Sequence, residues 1–236
     1  YDPRNATFIV VGDVDPERAY EAVARRFADW RQEGEPVTWA LPEVDTPATA
    51  LHTDVVMADK TQSDIAWGFV GLTRTDPRYY AAHLLDVVWG QLGLMGRLGE
   101  RIREQLGLAY YVYSRLDAGF GPGPWSVRAG VNPANLERAL AAIHAEAHAI
   151  TAGPVTEEEL ADVKAFLTGS MPMRLETNEG LATALASIES FGLGLDYVQR
   201  YPEIINAVTA EEMLAVARDR IVPERAVYAT AGPKAP

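Results

Sequence analysis

The sequence contains no cysteine, so a transition-metal site would be built around its four histidines, His52, His83, His144 and His148. Only the string HAEAH, residues 144–148, spaces two imidazoles one helical turn apart. Zinc-peptidase helices place a glutamate directly beside a histidine, where it acts as general base on the metal-bound water. Glu146 instead lies two residues from each histidine, about 200° around a helix from both. It faces away, and no third ligand suggests itself. The two histidines flank an apolar stripe and read as the polar edge of a packed face. No metal site is expected in this chain. The sequence also lacks a glycine-flanked nucleophilic serine on a strand-to-helix turn, a P-loop and a dinucleotide fingerprint.

A different chemistry is offered by MGRLGERIREQLGLAYYVYS, residues 95–114. Leu98, Ile102 and Leu106 mark the buried side of a helix that ends at Gly107 and runs into a tyrosine-rich strand. Arg103 stands in the last helical turn, and Tyr110 follows seven residues later. A helix-to-strand corner of this kind aims a guanidinium and a phenol into one cleft. Arginine has several fixed donors and tyrosine one more. Together they suit the backbone carbonyls of a bound peptide or a developing oxyanion. Taken alone, the pair has a plainer origin: arginine suits a helix C-terminus and tyrosine suits a strand.

The elements that must position this corner are legible in outline. Strands are expected at Ala6–Val11, Leu51–Met57, Ile65–Gly71, Trp125–Val131 and Val227–Ala231. A period-two run after Gly107 predicts a further strand. It puts Leu108, Tyr110, Val112 and Ser114 on one face, and Ala109, Tyr111 and Tyr113 on the other. Helices are expected over 16–30, 77–89, 96–106 and 133–150, with a glycine-rich turn at 90–93. Thr156 with Glu159, and Thr209 with Glu212, form capping-box pairs that open two more helices. Residues 31–50 lose all periodicity and read as a linker. The whole predicts an α+β fold, a largely antiparallel mixed sheet with helices packed on one face.

One internal similarity cuts across these elements. YDPRNATFIVVG, residues 1–12, lines up with IVPERAVYATAG, residues 221–232. Both place proline third and glycine nine residues later, with a strand-like run between. The repeat predicts that 1–30 is the strand-helix remnant of a preceding homologous unit, 31–50 the linker, and 51–236 the following domain. The chain starts without methionine and has no signal-like segment, so it reads as an excised piece.

Charge narrows the partners. A net charge of −12 argues against nucleic acid, whose phosphates need a basic footprint, and against adhesion to an anionic membrane surface. No apolar run is long enough to span a bilayer. A soluble protein is expected, with composition leaving cytoplasm and periplasm equally open.

The string RL at 97–98 followed by REQLGLAY at 103–110 resembles the signature after the second-half helix of insulinase, pitrilysin and mitochondrial processing peptidase-type zinc peptidases. Agreeing pieces extend over nearly the whole chain: YDPRNATFIVVGDVDPE at the start, QSDIAWGFVG at 62–71, VTAEE at 208–212 and AGP at 231–233. The family's paired glycines before that helix appear here as Trp89-Gly90-Gln91, and its usual serine before the RL pair is Gly96. The resemblance implies a non-catalytic, substrate-holding half of a zinc endopeptidase, inactive alone. Zinc is expected in a partner domain or subunit carrying an H-x-x-E-H helix, with peptide as substrate and a homo- or heterodimer as a possible assembly. The resemblance carries the family's substrate-binding arginine and tyrosine onto Arg103 and Tyr110. The competitor Arg101 has Leu108, which donates nothing, seven residues on; Tyr111 competes with Tyr110. The alternative is a catalytically inactive structural or peptide-binding homologue of the same fold.

Overall fold

A computed structural model of the chain describes residues 2–35, 40–92 and 95–233. The chain divides into two compact units, Tyr1–Pro42 with Thr168–Tyr201, and Glu43–Leu167 with Pro202–Pro236.

The second unit holds a five-stranded sheet, ordered β1-β5-β2-β4-β3. Its strands are β1 (Leu51–Val56), β2 (Ser63–Val70), β3 (Ala109–Leu116), β4 (Pro124–Val131) and β5 (Val227–Gly232). β1 and β5 run parallel, and every other pair is antiparallel. Alternation in β2 and β4 explains why one face is covered. Ile65, Trp67 and Phe69 lie in register with Ala129, Val127 and Trp125, and all are buried. The other face carries Asp64, Ala66 and Gly68 opposite Gly130, Arg128 and Ser126. Helices α2 (Tyr79–Asp86) and α3 (Leu136–Ala152) pack on β3 and β4. α7 (Ala210–Arg220) lies against α2 and α3. Burial of these large side chains, at about 2 kcal/mol each, is the main force holding the layers together.

Both capping boxes form. Thr156 and Glu159 exchange backbone-to-side-chain bonds of 2.8 and 3.1 Å at the start of α4 (Glu157–Arg174). Thr209 and Glu212 do the same at the start of α7. Arg97 adds a two-pronged bond to Glu159 at 2.6 and 2.7 Å, tying the α4 start to the segment that precedes the Arg103 corner. Glu159 is held below the usual carboxylate range by Arg97.

Four expectations need correction. Gly90 does not open a turn: α2 continues into a wide π-type segment, Val87–Gln91, and position 93 lies outside the described residues. A side chain at Gly90 would collide with the backbone of Ser114, so glycine there permits close approach to β3. The helix expected over 96–106 is also of the wide type across Gly99–Gln105. Residues 6–11 form no strand; in the first unit they lead to α1 (Pro16–Arg26), whose predicted extent to residue 30 is too long. α5 (Asn178–Ser190) belongs to the same unit. α6 (Tyr197–Ala207) completes the helices. Residues 40–50 carry no helix or strand, nor do 31–35; positions 36–39 of the expected linker lie outside the described residues. No helix among the described residues is long and apolar enough to cross a membrane.

Candidate functional site

The corner carrying Arg103 and Tyr110 is built from three anchors. Leu98 and Ile102 are fully buried beneath the Gly99–Gln105 segment. Gly107 then adopts φ +60°, a left-handed conformation that costs other residues about 1 to 2 kcal/mol. It allows the Leu108 N–H to donate to the Ile102 carbonyl at 3.0 Å. Leu106, expected on the buried side, is only half-buried, whereas Leu108 is buried.

A bulge follows at once. Ala109 pairs with Val131 and Tyr111 with Gly130, so Tyr110 is an extra residue with no partner in β4. One inserted residue inverts the alternation beyond it. Ala109, Val112 and Ser114 therefore point to the covered face, and Tyr111, Tyr113 and Arg115 to the open one. The expectation that Tyr110 shares a face with Val112 and Ser114 is corrected by that insertion. Tyr110 ends 78% exposed.

A buried carboxylate fixes β3 from beneath. Asp86, at the end of α2, has no exposed surface. It accepts from Trp125 Nε1 at 2.8 Å, from the Leu116 N–H at 3.0 Å and from Gln91 Nε2. Ser114 Oγ donates to its backbone carbonyl at 3.0 Å. Burial pushes the Asp86 carboxyl up, while these donors pull the other way.

The four candidate side chains differ in how they are engaged. Arg101 donates to Gln105 Oε1 at 2.8 Å. Tyr111 donates to Asp64 Oδ1 at 3.0 Å; burial first, then Asp64, raises its phenol. Among the described residues Arg103 has only a loose contact with Glu104, at 3.8 Å, and its side chain is 44% exposed. Tyr110 has no side-chain hydrogen bond among the described residues. No hydrogen bond joins Arg103 to Tyr110.

The open face of the sheet forms a groove of about 520 Å³. Asp64, Tyr111, Tyr113, Arg115 and Arg128 line it. Lys60, first, with Gln62 and Tyr111 holds the Asp64 carboxyl below the usual range. Arg115 pairs with Asp117; Arg128 has no ion pair among the described residues. The sequence reading missed this set. Its signal was the alternation of small and polar residues in β2 and β4, which could be read only once one face was known to be covered.

His144 and His148 meet at 4.6 Å between ring centroids. His144 also approaches the edge of Trp67, and His148 lies 3.5 Å from Glu224. Burial raises the Glu146 carboxyl, against the opposing positive charge of Arg97 and Arg101. No three metal-ligating side chains converge among the described residues.

A mixed sheet covered on one side, with a helix corner feeding its edge strand, defines a class of domain seen in known proteins. Residues 1–167 match the family described as peptidase M16 inactive domain. The chain belongs to that family. It is 27% identical over 236 residues to an uncharacterised zinc protease of Streptomyces coelicolor, covering 99% of this chain and 51% of that protein. A probable inactive metalloprotease of Bacillus subtilis is 26% identical over 178 residues, covering 75% of this chain and 40% of the relative. Among solved structures, a peptidase M16 inactive domain from Pseudomonas fluorescens superposes with a TM-score of 0.78 at 25% identity, covering 94% of this chain and 52% of that one. The chain spans about half the length of the curated relatives it matches.

Proposed function

We propose that this chain is the substrate-holding half of a zinc endopeptidase, with Arg103 and Tyr110 gripping the backbone of an extended peptide. Zinc and its H-x-x-E-H ligands would reside in another domain or subunit. The observation that carries the reading is the difference in engagement between the candidates. Arg101 and Tyr111 are each held by a side chain of this protein, whereas among the described residues Arg103 has only its loose contact with Glu104 and Tyr110 has no hydrogen-bonded partner. Donors without internal acceptors are available to a ligand. The guanidinium would donate to a peptide carbonyl and the phenol to a neighbouring one, or to the oxygen that gains charge as the carbonyl is attacked. The open sheet face, lined by Tyr111 and Tyr113 of the strand that carries Tyr110, would give an extended chain room to lie.

The test is cleavage of a quenched peptide by the assembled enzyme. Arg103→Ala and Tyr110→Phe are each expected to lower turnover by about 100-fold, with zinc content unchanged. Unaltered turnover in both variants refutes the assignment. A second reading, a structural or peptide-binding homologue without peptidase activity, is favoured by the Bacillus subtilis relative described as a probable inactive metalloprotease. Assembled protein that binds no zinc and cleaves no peptide would decide for it.

A further inference from the structure

Strand register orders the open face of the sheet into rows. Tyr113, Arg128, Ala66 and Ala229 stand side by side across β3, β4, β2 and β5. The row on one side runs Tyr111, Gly130, Asp64. The row on the other runs Arg115, Ser126, Gly68. Arg128 therefore belongs to an inner strand and to the middle row of the groove.

Four charged side chains among the described residues line that groove: Asp64, Arg115, Asp117 and Arg128. Three of them are matched. Asp64 accepts from Lys60, from Gln62 Nε2 at 2.7 Å and from the Tyr111 hydroxyl at 3.0 Å. Arg115 and Asp117 pair with each other. Arg128 is exposed and has neither an ion pair nor a side-chain hydrogen bond among the described residues. A cross-strand carboxylate would stabilise it, yet Ala66 stands opposite on β2. On β3 it faces Tyr113, whose ring lies 6.0 Å from that of Tyr111. The guanidinium acts on the groove all the same. Burial first, then Asp64, raises the Tyr111 phenol, and the positive charge of Arg128 works against that rise.

We infer that Arg128 is a specificity residue, which takes the carboxylate side chain of an aspartate or glutamate in an extended peptide lying on the open face. The inference rests on the proposed peptide-holding role and names the kind of residue that is selected. A guanidinium presents two parallel N–H donors to a carboxylate, a geometry that an ammonium cannot match. Because the other charges lining the groove are matched, the attraction is for one acidic residue and not for an acidic run. The net charge of −12 acts in the same sense, repelling polyanions at a distance while leaving a single contact pair free to form. The carboxylate belongs to a side chain and not to a chain end, since the groove extends past Arg128 into the rows on both sides.

Fluorescence anisotropy on the whole natural polypeptide or complex that carries this chain tests the inference, with a chelator present so that no peptide is cut. The probes are labelled peptides capped at both ends and alike except for one central residue, Glu or Gln, together with a Gln peptide whose C-terminus is free. The Glu peptide should bind about 10-fold more tightly than the capped Gln peptide. Arg128→Gln should bring the two together. Arg128→Glu should reverse their order, a result that no misfolded variant gives. Equal affinities in the natural protein overturn the inference, as does a preference that survives Arg128→Gln. So does binding of no peptide, and so does a free C-terminus that gains as much as the central Glu. The underlying reading fails separately. Arg103→Ala and Tyr110→Phe should weaken both capped peptides alike, and unchanged affinity there counts against that pair alone. Peptide that is bound with the Glu preference but never cut once zinc is restored refutes the peptidase role and leaves Arg128 as assigned.

Discussion

Residues 3–12 and 223–232 begin with the same proline-led turn and end on glycine, yet one continues into the middle of a sheet and the other into unpaired backbone. Local sequence therefore sets the turn and the extended conformation in both, and neighbours decide whether a strand results. The ladder bonds of β5 come from β1 and β2, elements far away along the chain. Strand character here depends on what lies alongside.

Proline tests that contrast with the largest expected effect. Ala229→Pro removes a ladder donor from a central strand and should cost about 3 kcal/mol or more. Ile9→Pro, at the corresponding position, should cost the isolated chain about 1 kcal/mol or less; urea midpoints compare them directly. A similar loss in both would break the comparison. Asp86→Ala probes what makes the sheet side rigid. It strands the buried Trp125 donor and the partly buried Leu116 N–H, and a loss of about 3 kcal/mol is expected by chemical denaturation. Gly232→Ala tests close strand approach near Ser63, with an expected loss of about 1 to 3 kcal/mol and weakened exchange protection confined to the β2–β5 pairing.

The smallest effect concerns Asp64, whose folded carboxyl is more acidic than usual, first because of Lys60. The unfolded chain therefore takes up the proton first. Its contribution is full above the ordinary aspartate pKa, about 3.9, and fades as pH falls through the lower folded value. Asp64→Asn should remove that acid-side loss, worth less than about 1 kcal/mol for this partly exposed pair. Parallel urea titrations below neutral pH measure it.

Much of the sheet was readable from the sequence because apolar positions in β2 and β4 recur with period two, and both capping boxes announced their helices. Two kinds of feature were hidden. Wide helical turns such as Val87–Gln91 depend on tertiary contact: Gly90 looks like a turn glycine until Ser114 is placed against it. The bulge at Tyr110 is equally silent, since an extra strand residue leaves no mark on composition yet reverses every later side chain. At the candidate site, motif resemblance nominated Arg103 and Tyr110. The existing commitments of Arg101 and Tyr111 emerged only with coordinates.

The middle of the uncovered sheet face is made of Ala66, Gly68, Gly130, Ala229 and Ala231. Tyr111 can lie over Gly130 because a larger residue there would strike its ring. Such a bed has few projections to interlock with a guest's side chains, so it favours extended shape over particular residues. Any sorting by charge falls to Arg128, which stands opposite Ala66 without a counter-ion among the described residues.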